Sequence, residues 1–240
     1  MLKAAIEKIV SLATPTVIDM GEKKFSDRHF EEIIPQKNYP QVLEVNSLDS
    51  IVQLIRQEAA QVYADKSRLY VQVEEHDRVR VFTSYDERMK RSYLYTAKAD
   101  VPGFRSGWKE SEEMLIALRS LFLQTEDIAY LLDLLSKMDD EQSVSSFDNG
   151  VTQTVEAKKG VALKEKVVVR PRVKLTPFRT FLEVAQPESE FLLRVKEGGH
   201  IGLFEADGGV WKLVAKENIK KYLTDKLRDL VNQDRVVIMQ

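Results

Sequence analysis

Apolar positions change their period several times along the chain, and each change marks an element. In residues 2–12, Leu2, Ile6, Ile9 and Val10 recur at three- and four-residue steps, the spacing of one helical face. Pro15 opposes continuation of that helix. "FSDRHFEEIIP" predicts a second helix, with Ser26 at its N-cap and its end before Pro35. "NSLDSIVQLIRQEAAQVYAD" predicts a third, with Leu48, Ile51, Val52, Ile55 and Ala59 on one face. From residue 68 the period drops to two. Leu69, Val71 and Val73 alternate with Tyr70, Gln72 and Glu74, and "EHD" at 75–77 makes a turn. Val79 and Val81 then alternate with Arg78 and Arg80, and "RSYLYTAKADV" adds a third strand. Residues 68–101 therefore read as a β-meander or long hairpin.

The helical period returns in "SEEMLIALRSLFLQTEDIAYLLDLLSKM". Met114, Leu118, Leu121, Thr125, Ile128, Leu132 and Leu135 step 4, 3, 4, 3, 4, 3. Unbroken, this helix would span roughly 40 Å at ~1.5 Å per residue. Thr125 before Glu126 and Asp127 is also a cap pattern, which allows a kink or restart there. Leu115, Phe122 and Leu131 widen the apolar face beyond a coiled-coil seam, so a core helix is expected. "DDEQSVSSFDNG" is polar and turn-rich. It reads as a linker over 139–150, between an N-terminal region 1–138 and a C-terminal region 151–240 that can still share one domain. The second region is strand-rich: "TQTVEAKK", "KVVVRPRVKL", "FRTFLEVA", "EFLLRVK", "HIGLFEA" and "GVWKLVA". A helix, "KENIKKYLTDKLRDLV", and a terminal strand, "RVVIMQ", follow. The whole predicts an α+β fold: N-terminal helices, a β-meander, a long central helix, then a mostly antiparallel sheet with a C-terminal helix.

Composition narrows the function. The 240 residues are 43% hydrophobic and 31% charged, and the net charge of −2 supplies no global field for nucleic acid or membranes. There are no cysteines, so disulfides, thiolate chemistry and cysteine-based zinc sites are excluded, and a reducing cytoplasm is expected. No apolar run approaches the ~20 residues of a membrane-spanning helix.

The most pointed stretch is "FEADGGVWKL", residues 204–213, which sets two carboxylates beside a glycine pair and a tryptophan. Asp207 and Gly208 fall between two alternating apolar runs, and Asp-Gly favours a hairpin turn that needs positive φ at both central residues. The expectation is a hairpin, with Glu205 a strand side chain and Trp211 packed across the ladder. A calcium loop would need ligands at D-x-D-x-D-G offsets, which are absent. His29, His76 and His200 show no metal-binding spacing, and neither the G-x-S-x-G nor the phosphate-loop motifs occur. The reading is a protein with no catalytic, metal-binding or cofactor-binding residues.

Two basic groups remain. Arg170, Arg172 and Lys174 share one strand face, with Lys164 and Lys166 before them in the same parity, and Pro171 places that strand at an edge or bulge. Arg78, Arg80, Arg88, Lys90 and Arg91 interleave with Tyr85, Tyr93 and Tyr95. Basic strands with aromatics suit single-stranded nucleic acid. Charge on an edge strand also protects against aggregation, or meets an acidic neighbour.

"LTPFRTFLEVAQPESEFLLRV" followed by "GLFEADGGVWKLVAKENIKKYL", with "KKGVALKEKVVV" upstream, resembles the C-terminal half of the YfdQ-like family of phage and prophage proteins, a family of unknown function. The resemblance covers residues 151–225. It implies a phage origin and expression in the cytoplasm of a bacterial host, and it brings no catalytic residues. The order of arm, hairpin, long helix and sheet is similar to that of tailed-phage capsid and encapsulin shells. The expected function is self-assembly into a homo-oligomer, with the arm 1–20 and the hairpin of 68–101 lying across neighbouring subunits. The alternative is a single-stranded nucleic-acid-binding accessory of phage recombination.

Overall fold

The computed structural model describes residues 2–14, 16–21, 23–26, 41–61, 68–139, 144–148, 153–159, 163–196 and 199–240. The chain divides into two units, Met1–Tyr39 and Pro40–Gln240. In the first, α1 (Leu2–Ala13) is followed by an antiparallel hairpin of β1 (Val17–Met20) and β2 (Lys23–Ser26). The Thr14 amide and hydroxyl both donate to the Val10 carbonyl, closing the end of α1. No residue of α1 is buried. Ser26 ends β2 instead of capping a helix, and the remainder of that predicted helix lies outside the described residues.

The second unit begins with β3 (Leu43–Val45), α2 (Leu48–Gln61), β4 (Leu69–Glu75), β5 (Arg78–Thr83), β6 (Tyr93–Lys98) and β7 (Gly107–Lys109). Then come α3 (Ser111–Ser120), α4 (Glu126–Asp139), β8 (Val144–Asp148), β9 (Gln153–Lys159), β10 (Leu163–Val169) and β11 (Arg172–Leu175). It ends with β12 (Ser189–Lys196), β13 (His200–Glu205), α5 (Trp211–Lys226), α6 (Arg228–Asn232) and β14 (Val236–Met239). The class is α+β, as the periodicities predict.

A five-stranded sheet runs β14-β4-β5-β6-β3, antiparallel at its centre and parallel at both edges. Alternation divides its faces. Leu69, Val71, Val73, Val79 and Val81 are at most 1 % exposed. They share a core with Leu48, Ile51 and Ile55 of α2 and Ile219 and Leu223 of α5. The meander is therefore present, but its apolar side is consumed inside its own unit. The outer face, with Tyr85 and Tyr93 exposed, is the part left for any neighbour.

A four-stranded antiparallel sheet, β11-β12-β13-β7, packs on α3 and α4. The predicted long helix is two helices. Leu121 N–H bonds the Ala117 carbonyl at the end of α3, and the Thr125 hydroxyl accepts from Ile128 N–H at 3.3 Å at the start of α4. Between them, Leu123 N–H bonds the Thr176 carbonyl and Phe178 N–H bonds that of Leu121. The break spends helical hydrogen bonds on a crossing chain instead.

A third sheet, β10-β9-β8, is antiparallel. Its strand β8 corrects the reading of 139–150 as linker alone; 140–143 and 149–150 lie outside the described residues. Both hydrophobic cores combine residues from before and after that stretch: Val79 with Leu223, and Leu131 with Phe191. "FRTFLEVA" is irregular, not a strand. The Gln186 side chain does the work of a ladder there, accepting from the Arg179 and Thr180 amides and donating to the Thr180 and Phe181 carbonyls.

Candidate functional site

"FEADGGVWKL" closes β13 and opens α5. Gly208 and Gly209 hold φ of +64° and +83°, and the Asp207 carboxylate accepts the Gly209 N–H at 3.0 Å. The predicted turn is real, but its positive-φ pair is shifted by one residue and the next element is a helix. Trp211, Ala215, Ile219 and Leu223 recur at four-residue steps and are all buried, while Leu213, which would share their face in a strand, is exposed.

That turn backs onto a buried cation. Arg179, with a side chain only 6 % exposed, ion-pairs Glu205 at 3.0 Å and donates to the Ser189 hydroxyl. Its guanidinium lies 4.1 Å over the Trp211 ring, and the Trp211 N–H reaches Glu205 at 3.4 Å. His76 stands edge-on to Trp211 at 4.7 Å, and its carbonyl accepts the Thr180 hydroxyl at 2.5 Å. Burial lowers the Arg179 pKa to about 10, opposed by Glu205 and then Asp207. Burial also lowers that of His76, with Asp77 opposing and Lys212 reinforcing. The cluster fastens the β4–β5 turn, the irregular segment, β12, β13 and α5 to one another. Most of its polar groups are spent on each other, the buried Arg179 Nε being without a hydrogen-bond partner, so it is built as a clasp.

Among the described residues, Glu75, His76 and Asp77 are the group whose ligand atoms converge, all within 4.8 Å of one another. They are consecutive on one turn, and Arg78 stands 3.7 Å from Glu75. They do not form the closed, multi-element shell of a structural metal site. A cleft of about 600 Å³ is lined by Glu44, Asn46, Ser50, Lys98 and Asp100, with no acid and base in hydrogen-bonding contact.

The first basic group lies on β11, an edge strand as Pro171 requires. Arg170 stands 3.4 Å from Asp127 and 4.5 Å over Tyr130. Arg172 pairs with Glu190 at 2.9 Å, and Lys174 with Glu188 at 3.6 Å. Arg170, Arg172 and Lys174 are each paired with a carboxylate of the same unit. The side chains of Lys164 and Lys166 lie outside the described residues.

The second group is arranged differently. Tyr70 and Phe82, paired across β4 and β5, stack at 5.7 Å with planes 8° apart. Tyr93 on β6 tilts against Phe82 at 5.5 Å. Arg91 comes from the segment between β5 and β6 and sits 4.8 Å over Phe82, 5.2 Å over Tyr70 and 4.1 Å over Tyr85. Arg78 and Arg80 lie on the same outer face and are tied to Glu74, at 3.7 and 2.9 Å. Arg88 donates its amide to Asp86 at 2.9 Å, beside Met89 at a φ of +57°. Tyr95 belongs to the helix side instead. Its hydroxyl donates to Glu58 at 2.9 Å, and burial, then Glu58, raises its pKa to about 12. Tyr70 and Phe82 were missed in the sequence. Their signal was an aromatic at the polar phase of an alternating strand, facing away from the core.

No protein-family model, curated protein or solved structure matches the chain. No helix among the described residues is long and apolar enough to cross a membrane.

Proposed function

We propose that this is a non-enzymatic, self-assembling protein whose subunits join through α1. One observation carries the reading: Leu2, Ile6, Ile9, Val10 and Leu12 of α1 are all more than half exposed. A 12-residue helix is marginal by itself in water and draws most of its stability from packing. An exposed apolar face of this kind marks an interaction surface.

The partner that fits is a second copy. Leu2, Ile6, Ile9 and Ala13 step 4, 3, 4, the seam by which identical helices interlock. Val10 and Leu12 widen that seam on its two flanks, favouring more than two helices, while Lys3, Glu7 and Lys8 lie off its centre. On the same reading the protein is phage- or prophage-encoded and works in the cytoplasm of the bacterial host, and a closed, capsid-like shell is the extreme form of its assembly.

The test is the double substitution Ile6→Asp/Ile9→Asp, followed by sedimentation velocity. The expected result is conversion of an oligomer to a monomer whose body, residues 40–240, stays folded by circular dichroism. An oligomer that survives the substitution contradicts an α1 interface. Loss of α1 from lipid vesicles rather than from an oligomer would make it a membrane-surface helix instead.

A further inference from the structure

We infer that the outer face of the five-stranded sheet binds single-stranded nucleic acid, with Tyr85 and Tyr93 as stacking rings and Arg88, Arg91 and Lys98 as phosphate contacts. This site uses no residue of α1 and does not depend on self-assembly.

The face has the two parts such a ligand needs. The first is aromatic. Tyr70, Phe82 and Tyr93 come from three adjacent strands and form a continuous ring surface, with Phe82 at its centre. Arg91 is laid over that surface, and Tyr85 lies against Arg91. Phe82 is buried by this arrangement, whereas Tyr85 and Tyr93 remain 56 % and 46 % exposed and are open to a base. A guanidinium plane stacked among rings is itself a surface on which bases stack.

The second part is charge. Arg88 and Lys98 make no ion pair among the described residues, and Arg91 is held by rings and by no carboxylate. Arg78 and Arg80 stand alongside, their charge shared with Glu74. The β11 stripe offers the opposite combination, with its three cations each on a carboxylate.

A single strand presents a π-face at every base and a phosphate at every step, so it uses both parts at once. An acidic peptide would use the cations and leave Tyr85 and Tyr93 idle. Duplex nucleic acid keeps its bases stacked and would leave the same rings idle. The overall charge of −2 adds no long-range attraction, so binding is expected to be local and strongly salt-dependent.

The experiment is fluorescence anisotropy of a labelled oligothymidine at ~50 mM salt, where phosphate contacts are strongest. The full chain is expected to bind saturably. Tyr85→Ala and Tyr93→Ala should each weaken binding about tenfold, while Tyr93→Phe keeps it. Arg88→Ala with Lys98→Ala should flatten the slope of log affinity against log salt by about 1.4, at ~0.7 per contact. The Arg170→Ala/Arg172→Ala/Lys174→Ala variant should bind as the parent does, and so should the chain lacking residues 2–14, which separates this site from the assembly surface. No anisotropy change with the parent protein overturns the assignment. So does competition by polyglutamate or duplex equal to that by unlabelled oligothymidine, or loss of binding in the β11 variant.

Discussion

Helices α1 and α4 are written in the same pattern and meet opposite fates. Both carry apolar residues at three- and four-residue steps. In α4, Ile128, Leu131, Leu134 and Leu135 are at most 1 % exposed, packed into a core with Phe191 and Leu193 of β12. In α1 the equivalent face has no buried residue. Hydrophobic periodicity states that a face is built for burial, but not against what. For α4 the sheet of its own unit is the answer. For α1 the proposed answer is another copy of the chain.

The largest expected effect tests that contrast directly. Leu131→Ala or Leu134→Ala should cost about 2–5 kcal/mol in denaturant unfolding, because each leaves a cavity in a closed core. Ile9→Ala, measured at a protein concentration low enough to keep the chain monomeric, should change the same transition by less than about 0.5 kcal/mol, as for a surface position. Equal losses at both helices would show that α1 is packed within its own chain.

Arg179→Ala comes next, at about 2–3 kcal/mol, because it strands Glu205 and Ser189 and strips the cation from Trp211. A near-zero change would mean that the clasp does not hold the body together. Gly208→Val should cost about 1–3 kcal/mol through its φ of +64°. Asp207→Ala, which removes one half-buried turn hydrogen bond, should cost about 0.5–1.5 kcal/mol. The reverse order would mean that the carboxylate, not the glycine, sets the turn.

The smallest effect is a pH dependence. His76 is held below its ordinary value of 6.5 by burial, so the unfolded chain takes up its proton more readily than the folded one. Its contribution is complete above pH 6.5 and is lost as pH falls through the folded value. Thermal unfolding followed from neutral to mildly acidic pH should show a decline that His76→Gln flattens. A His76→Gln protein with the parent's slope would place that acid sensitivity elsewhere.

Much of the fold was legible because it is local. The alternation at 69–81 and the helical spacing at 48–59 each name their buried face, and the observed cores use those residues. "GVWKLVA" misled because Trp211, Leu213 and Ala215 are all apolar at the two-residue spacing of one strand face. The helix shows in the burial of Trp211, Ala215, Ile219 and Leu223 with Leu213 left exposed. Strand β8 was missed because Val144 and Phe147 stand three residues apart, off a strand's alternation, and its pairing partner, β9, follows a separate segment. The surfaces were less legible than the fold. Two basic stripes looked alike in sequence, and what separates them is distant. Glu188, Glu190 and Asp127 neutralise one, and Tyr70 and Phe82 lie beneath the other. Arg179 gave no signal, since its partners stand 10 to 32 residues away.

The most direct test of self-assembly through α1 is the solution mass of the full chain and of the chain lacking residues 2–14, by light scattering over a range of concentrations. The expected result is a multi-subunit mass for the full chain and a monomer mass for the shortened one, both with the same circular dichroism per residue of the body. A full chain that remains monomeric at every concentration, or a shortened chain that assembles as the full one does, would contradict the account.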